Sequence, residues 1–175
     1  RRQRQMWIRG RGIGGGLATG MKSVHEDGNS IWIGWSGLKE EDLNSEISLN
    51  VSKELQKEKC IPVPLTDADV ENFYLGFSNK TLWPLFHYFT EYTTFDNKQW
   101  LSYKEVNEKF AEIVLENCED GDTIWVHDYQ LLLVPQLIKE KKPDTKIGLF
   151  LHIPYPSFEI FRTFPWREQL LHGML

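Results

Sequence analysis

The chain has 175 residues, 41% of them hydrophobic and 26% charged, which suits one domain with a core of its own and no need of cross-links. Its 20 basic residues stand against 25 acidic ones, a formal net charge of −5 that argues against a general polyanion-binding surface and makes a nucleic-acid partner, drawn by the arginine-rich start, the weakest reading. The two cysteines, Cys60 and Cys118, exclude a disulfide scaffold and a Cys-x-x-Cys metal site, and no apolar run reaches the length of a membrane span, so a reducing, cytoplasmic setting is expected.

Residues 1–13 form an atypical basic start, with Arg1, Arg2, Arg4, Arg9 and Arg11 crowded together, and they make a poor strand. The domain proper is expected over 14–175. Gly10-Arg11-Gly12-Ile13-Gly14-Gly15 formally matches the dinucleotide fingerprint G-x-G-x-x-G, but only Met6, Trp7 and Ile8 precede it as apolar residues. Two readings stand side by side. In one, the glycines let backbone amides approach a phosphate and Leu17 to His25 is the helix facing it; in the other, the cluster is a flexible loop.

Ser30 to Gly37 reads as a strand, with Ile31 and Ile33 on one face and Trp32 on the other. The stretch 39–58 is strongly charged, with a helix expected near its end. Cys60 to Leu65 carries Pro62 and Pro64, which fits an edge strand better than a central one. Thr66 or Asp67 is placed to cap the helix that follows. That region is dense in rings, and Gly76 together with Trp83-Pro84 argues against a long regular helix, leaving some rings to line a pocket. Tyr103, Val106, Phe110, Ile113, Val114 and Leu115 then mark an amphipathic helix over 100–117 that should cover a sheet.

The densest signal is 122–157. Thr123 to Val126 and Ile147 to Leu151 are two short apolar runs joined by a helical stretch that includes Val134 and Ile138, a β-α-β unit. Runs this apolar suit parallel strands covered on both faces. Each ends in polar or ring-bearing residues, and ligands of open parallel sheets sit beyond the carboxyl ends of the strands, so Asp128 and His152 are expected on one crevice rim. The last residues, 167–175, look helical and stop without a terminator, so the chain reads as a piece of something longer.

The 5 histidines show no H-E-x-x-H pair or other metal spacing, so neither a metal nor another cofactor is expected, and no Gly-x-Ser-x-Gly elbow or P-loop occurs. A carboxylate, an imidazole, indole and phenol rings and a glycine turn suit the holding of a sugar: rings stack on its faces and a carboxylate takes two hydroxyls. Asp128 also fits a strand-end cap or the partner of a structural arginine, and His152 a satisfied structural group.

Gly15-Gly16-Leu17-Ala18-Thr19-Gly20, Trp32-Ile33-Gly34-Trp35-Ser36-Gly37, Leu82-Trp83-Pro84-Leu85-Phe86-His87, Trp125-Val126-His127-Asp128-Tyr129-Gln130-Leu131 and Leu151-His152-Ile153-Pro154-Tyr155-Pro156-Ser157 occur in the order seen in trehalose-6-phosphate synthases. From about Gly14 to Leu175 the chain resembles the N-terminal half of that family. The resemblance implies an α/β fold, the Rossmann-like N-terminal domain of a GT-B glycosyltransferase, with the second, C-terminal domain absent. It implies transfer of glucose from UDP-glucose to glucose 6-phosphate with retention of configuration, without a covalent enzyme nucleophile or a metal; a homo-oligomer is compatible with it.

Residue by residue, the resemblance makes Gly15 and Gly16 donor-diphosphate contacts, Tyr74, Trp83 and Asp128 acceptor contacts, Trp35 a ring near the acceptor, and His152 a group beside the donor sugar. Asp128 and His152 are then the catalytic candidates. One departure stands out: family members begin with an apolar strand leading into Asn-Arg-Leu-Pro, whose arginine holds the acceptor phosphate. Here RRQRQMWIRGRGI stands instead, and neither Arg9 nor Arg11 aligns with that arginine. The alternative to an active parent is a catalytically inactive sugar-phosphate-binding or regulatory module of the same family; Tyr74, Trp83, Asp128 and His152 favour the active one.

Overall fold

In a computed structural model, the structure describes residues 3–8, 30–35, 37 and 59–175, the first of these stretches as backbone only. Its frame is a sheet of 5 parallel strands: β1 (Gln3–Ile8), β2 (Ser30–Trp35), β3 (Cys60–Pro62), β4 (Thr123–His127) and β5 (Lys146–Phe150), in the order β3-β2-β1-β4-β5. This is the order of a doubly wound Rossmann-like sheet, which reverses direction between β1 and β4. The crevice beyond that reversal is where such sheets bind ligands.

The basic start departs from expectation. Gln3–Ile8 is the central strand, running from Gln3 opposite Ser30 to Ile8 opposite Trp35 on one side and from Gln3 opposite Thr123 to Met6 opposite Val126 on the other. A centre position pairs both backbone edges of a strand, and that context outweighs the weak β-propensity of its residues. The glycine cluster follows this strand in sequence; it lies outside the described residues, as do the charged stretch after Gly37 and the helix expected at Leu17 to His25.

β3 is the edge strand that its prolines imply, with Cys60 opposite Trp32 and Pro62 opposite Gly34. At the other edge, full coverage of β5 is not found: Lys146, Gly148 and Phe150 are exposed, while Ile147 and Leu149 pack against the core. β4 pairs on both sides, and its Ile124 and Val126 are buried; β5 pairs only with β4 and has one covered face among the described residues.

Thr66 opens the first described helix with a reciprocal cap: its hydroxyl accepts from the Asp69 amide at 3.0 Å, and its own amide donates to the Asp69 carboxylate at 3.0 Å. Helix α1 then runs unbroken over 67–86, as an α-helical turn (Asp67–Asp69), a π-wound middle (Val70–Leu82) and an α-helical end (Trp83–Phe86). It is long, against expectation, yet not regular. Gly76 does not break it because its missing side chain admits a neighbour: a Cβ there would lie 2.8 Å from Gln99 Cδ. Pro84 is the second residue of the α-helical end, two residues before the helix stops at Phe86.

Helix α2 (Asn97–Asn117) is the amphipathic helix of the sequence, started by Asp96, which accepts from the Gln99 amide at 2.9 Å. It buries Tyr103, Val106, Phe110 and Val114, and it packs on α1 and on α3 (Val134–Lys141). The short α4 (Phe158–Phe161) and α5 (Arg167–Met174) complete the described α-helices, and α5 lies on α3. None of the described helices is long and apolar enough to cross a membrane.

Gly173 is where α5 seats. A Cβ there would lie 2.5 Å from Leu133 Cδ2, and 2.8 Å from both the Leu132 carbonyl oxygen and Leu133 Cα. Two of those atoms are backbone and cannot rotate away, so Gly173→Ala is expected to lower stability by about 1–3 kcal/mol. Gly148→Ala, whose Cβ meets only Trp125 Cδ1 at 3.7 Å, is the near-neutral control in the same urea-unfolding experiment.

Candidate functional site

Strands β4 and β5 end side by side, with His127 opposite Phe150. The Asp128 amide extends the ladder by donating to the Phe150 carbonyl at 2.7 Å, and the chain then leaves the sheet in a 3-10 turn at Tyr129–Leu131. Asp128 makes this exit at φ 73° and ψ 174°. Its Oδ1 accepts from the Tyr129 amide at 3.0 Å and from the His152 amide at 3.3 Å. Burial pushes the Asp128 carboxyl above its ordinary pKa, and those two amides pull against the shift. Asp128 and His152 therefore share one rim, as the β-α-β unit led one to expect.

The irregular turn after Asp128 is held from below by two buried polar groups on α2. The Tyr103 hydroxyl donates to the Tyr129 carbonyl at 2.8 Å and accepts from the Leu132 amide at 3.1 Å. The Asn107 side-chain amide donates to the Tyr103 carbonyl at 2.8 Å and to the Gln130 carbonyl at 3.0 Å, while its Oδ1 accepts from the Leu133 amide at 3.1 Å. Backbone groups that leave a sheet in a buried place need such partners. Burial pushes the Tyr103 phenol far up, which keeps it neutral and able to donate.

Across the same end of the sheet, Trp35 closes β2 and is buried, with its ring 5.7 Å from that of Tyr74 on α1. The Tyr129 hydroxyl donates to Asn79 Oδ1 at 3.0 Å. Its pKa is raised first by burial, then by the nearby Asp128 carboxylate and Tyr74 phenol, so Asp128, Tyr129 and Tyr74 share one neighbourhood. Trp83 stands somewhat apart: 40% exposed, it stacks on His87 at 4.0 Å and faces Phe89 at 6.1 Å. The link from its surroundings to the rim is Tyr88, whose hydroxyl accepts from the Ser157 amide at 2.8 Å, joining the region after α1 to the segment after His152. Gly15 and Gly16 lie outside the described residues.

Sequence reasoning passed over His127, Tyr129, Asn79, Tyr103 and Asn107. Asn107 carried a signal, a polar residue within an otherwise apolar helix stripe. His127 carried one too, at the end of a buried strand. Tyr129 and Asn79 are 50 residues apart and had none.

Comparison with known proteins narrows what this rim is for. A family model described as glycosyltransferase family 20 matches residues 4–175, beginning inside β1. The α,α-trehalose-phosphate synthase [UDP-forming] A of Dictyostelium discoideum is 45% identical over 162 residues, covering 92% of this chain and 21% of the relative. A solved structure described as trehalose-6-phosphate from E. coli bound with UDP-2-fluoro glucose superposes with a TM-score of 0.82 at 30% identity, covering 99% of this chain and 38% of that one. An α,α-trehalose-phosphate synthase (UDP-forming) of Burkholderia xenovorans in complex with glucose-6-phosphate gives 0.80 at 26% identity, with the same coverage of 99% and 38%. The chain thus spans between 21% and 38% of the length of these proteins.

Proposed function

The chain belongs to glycosyltransferase family 20, and on that premise we propose that the protein containing it transfers glucose from UDP-glucose to glucose 6-phosphate, giving α,α-trehalose 6-phosphate and UDP with retention of configuration. The fold is the Rossmann-like N-terminal domain of a GT-B glycosyltransferase. In the proposed reaction it forms one wall of a cleft whose other wall is the C-terminal domain. The proposed setting is the cytoplasm.

The observation that carries this reading is the meeting of Asp128 and His152 on one rim beside the Trp35–Tyr74 ring pair. Oδ1 of Asp128 takes both amides, so Oδ2 is the oxygen available to hydroxyls of the acceptor sugar. Tyr74 and Trp35 supply faces on which the acceptor ring rests, with Trp83 at its outer side. His152 meets the donor sugar, and the amides of Gly15 and Gly16 meet the diphosphate. The chemistry asks for charge stabilisation at a leaving diphosphate and for two sugars held face to face, so positioning matters more than an acid–base pair. That relatives bind UDP-2-fluoro glucose and glucose-6-phosphate supports both substrates.

A coupled UDP-release assay tests the proposal. The full-length protein is expected to release UDP only when both substrates are present, and equal release without glucose 6-phosphate would sink it. Residues 1–175 alone are expected to turn over nothing; a rate above the control lacking acceptor would show that the second wall is dispensable.

A further inference from the structure

His127 is buried, 3% exposed, at the end of β4, and its Nδ1 lies 3.2 Å from Nε2 of His152. Its other nitrogen, Nε2, is buried and has no hydrogen-bond partner among the described residues. If the position served packing alone, an apolar side chain would fill it without stranding a ring nitrogen. His152, by contrast, is exposed. Three contacts fix it: its amide donates to Asp128 Oδ1 at 3.3 Å, the Phe150 ring lies 4.6 Å from its ring, and Nε2 is taken by His127.

We propose that His127 is a positioning residue for the transfer: by engaging Nε2 of His152 it fixes the rotation of the exposed imidazole, so that Nδ1 and its edge are what the donor sugar meets. Burial, and after it the neighbouring His152, lower the His127 pKa to about 4, so His127 stays neutral at working pH. One proton then lies between the two rings. A stranded buried N–H is the rarer orphan, so the unpartnered Nε2 of His127 is the bare nitrogen; His127 then donates from Nδ1 and His152 accepts at Nε2, which puts the ring proton of His152 on Nδ1, where a free imidazole would exchange between two tautomers. The inference rests on the reading that places His152 beside the donor.

The test uses the full-length protein with 15N-labelled histidine, the His152 signals being identified by their loss in His152→Asn. Wild type is expected to show His152 locked in one tautomer. His127→Phe keeps a ring but removes the bond, and should give averaged His152 signals. It should also lower kcat/KM for UDP-glucose by roughly tenfold to a hundredfold, the scale of a misplaced contact, with KM for glucose 6-phosphate unchanged. His127→Asn, which retains a polar group near the Nδ1 position, should recover much of the loss. A wild-type His152 that already averages between tautomers overturns the proposal without any variant, as does a His127→Phe protein with unaltered His152 signals. The spectra need no turnover, so a protein without the proposed activity would still show whether His127 orients His152.

Discussion

Asp128→Ala and Asp128→Gly are both expected to lose acceptor use, yet the glycine variant should be the more stable of the two by about 1–2 kcal/mol. Ordinarily the order is reversed, because glycine has more backbone freedom to lose on folding. At φ 73° and ψ 174°, however, Asp128 occupies a region that is essentially reserved for glycine. Alanine inherits that strain and glycine relieves it, while both variants remove the carboxylate that accepts from the Tyr129 and His152 amides. The cost of those two contacts therefore cancels in the comparison. Burial adds a second penalty of the same sign: a carboxyl whose folded pKa is raised loses stability as pH climbs through that pKa, so its ionised form is a burden on the fold at neutral pH. A side chain costly in both backbone and charge suggests service to something outside the fold, and a sugar hydroxyl on Oδ2 is the proposed reason. Losing hydrogen bonds to a charged group should lower kcat/KM for glucose 6-phosphate about tenfold to a hundredfold. Unchanged acceptor kinetics would refute the role of Asp128. Equal urea midpoints for the two variants would refute the strain.

The strand ends were legible in the sequence because β4 and β5 are neighbours in a parallel sheet joined by one helix, and such a unit places consecutive strand ends on one rim. The edge position of β3 was legible from Pro62 and Pro64, and α2 from its apolar stripe. What stayed hidden depends on tertiary context. Gln3–Ile8 has the composition of a solvated arm, and only pairing with both β2 and β4 makes it the sheet centre. Helix α1 passes Gly76 because α2 leans on it there, which no local rule shows. The apolar run of β5 promised two covered faces, but an edge position gave it one. Of the site, Asp128 and His152 were read together, whereas His127 came through only as an unassigned histidine. Its role depends on a ring-to-ring distance that spacing in sequence cannot give.

The second large effect is expected at Asn107, under the turn that follows Asp128. Asn107→Leu keeps side-chain bulk but strands the Gln130 carbonyl and the Leu133 amide, while the Tyr103 carbonyl, the third partner of Asn107, lies within α2 itself. Each stranded buried group costs on the order of 1–3 kcal/mol, so a loss of about 2–4 kcal/mol is expected, large beside the total stability of an ordinary domain. Tyr103→Phe should show a similar loss by stranding the Tyr129 carbonyl and the Leu132 amide. Because both side chains hold the same turn, the double variant should lose less than the two single losses added together, the sign of a shared structural unit. The turn begins at Asp128, so KM for glucose 6-phosphate should rise in either single variant even under conditions where the protein stays folded. Urea unfolding of the four proteins decides the matter: a near-neutral Asn107→Leu would mean that water reaches the turn, and strict additivity would mean that Tyr103 and Asn107 support it independently.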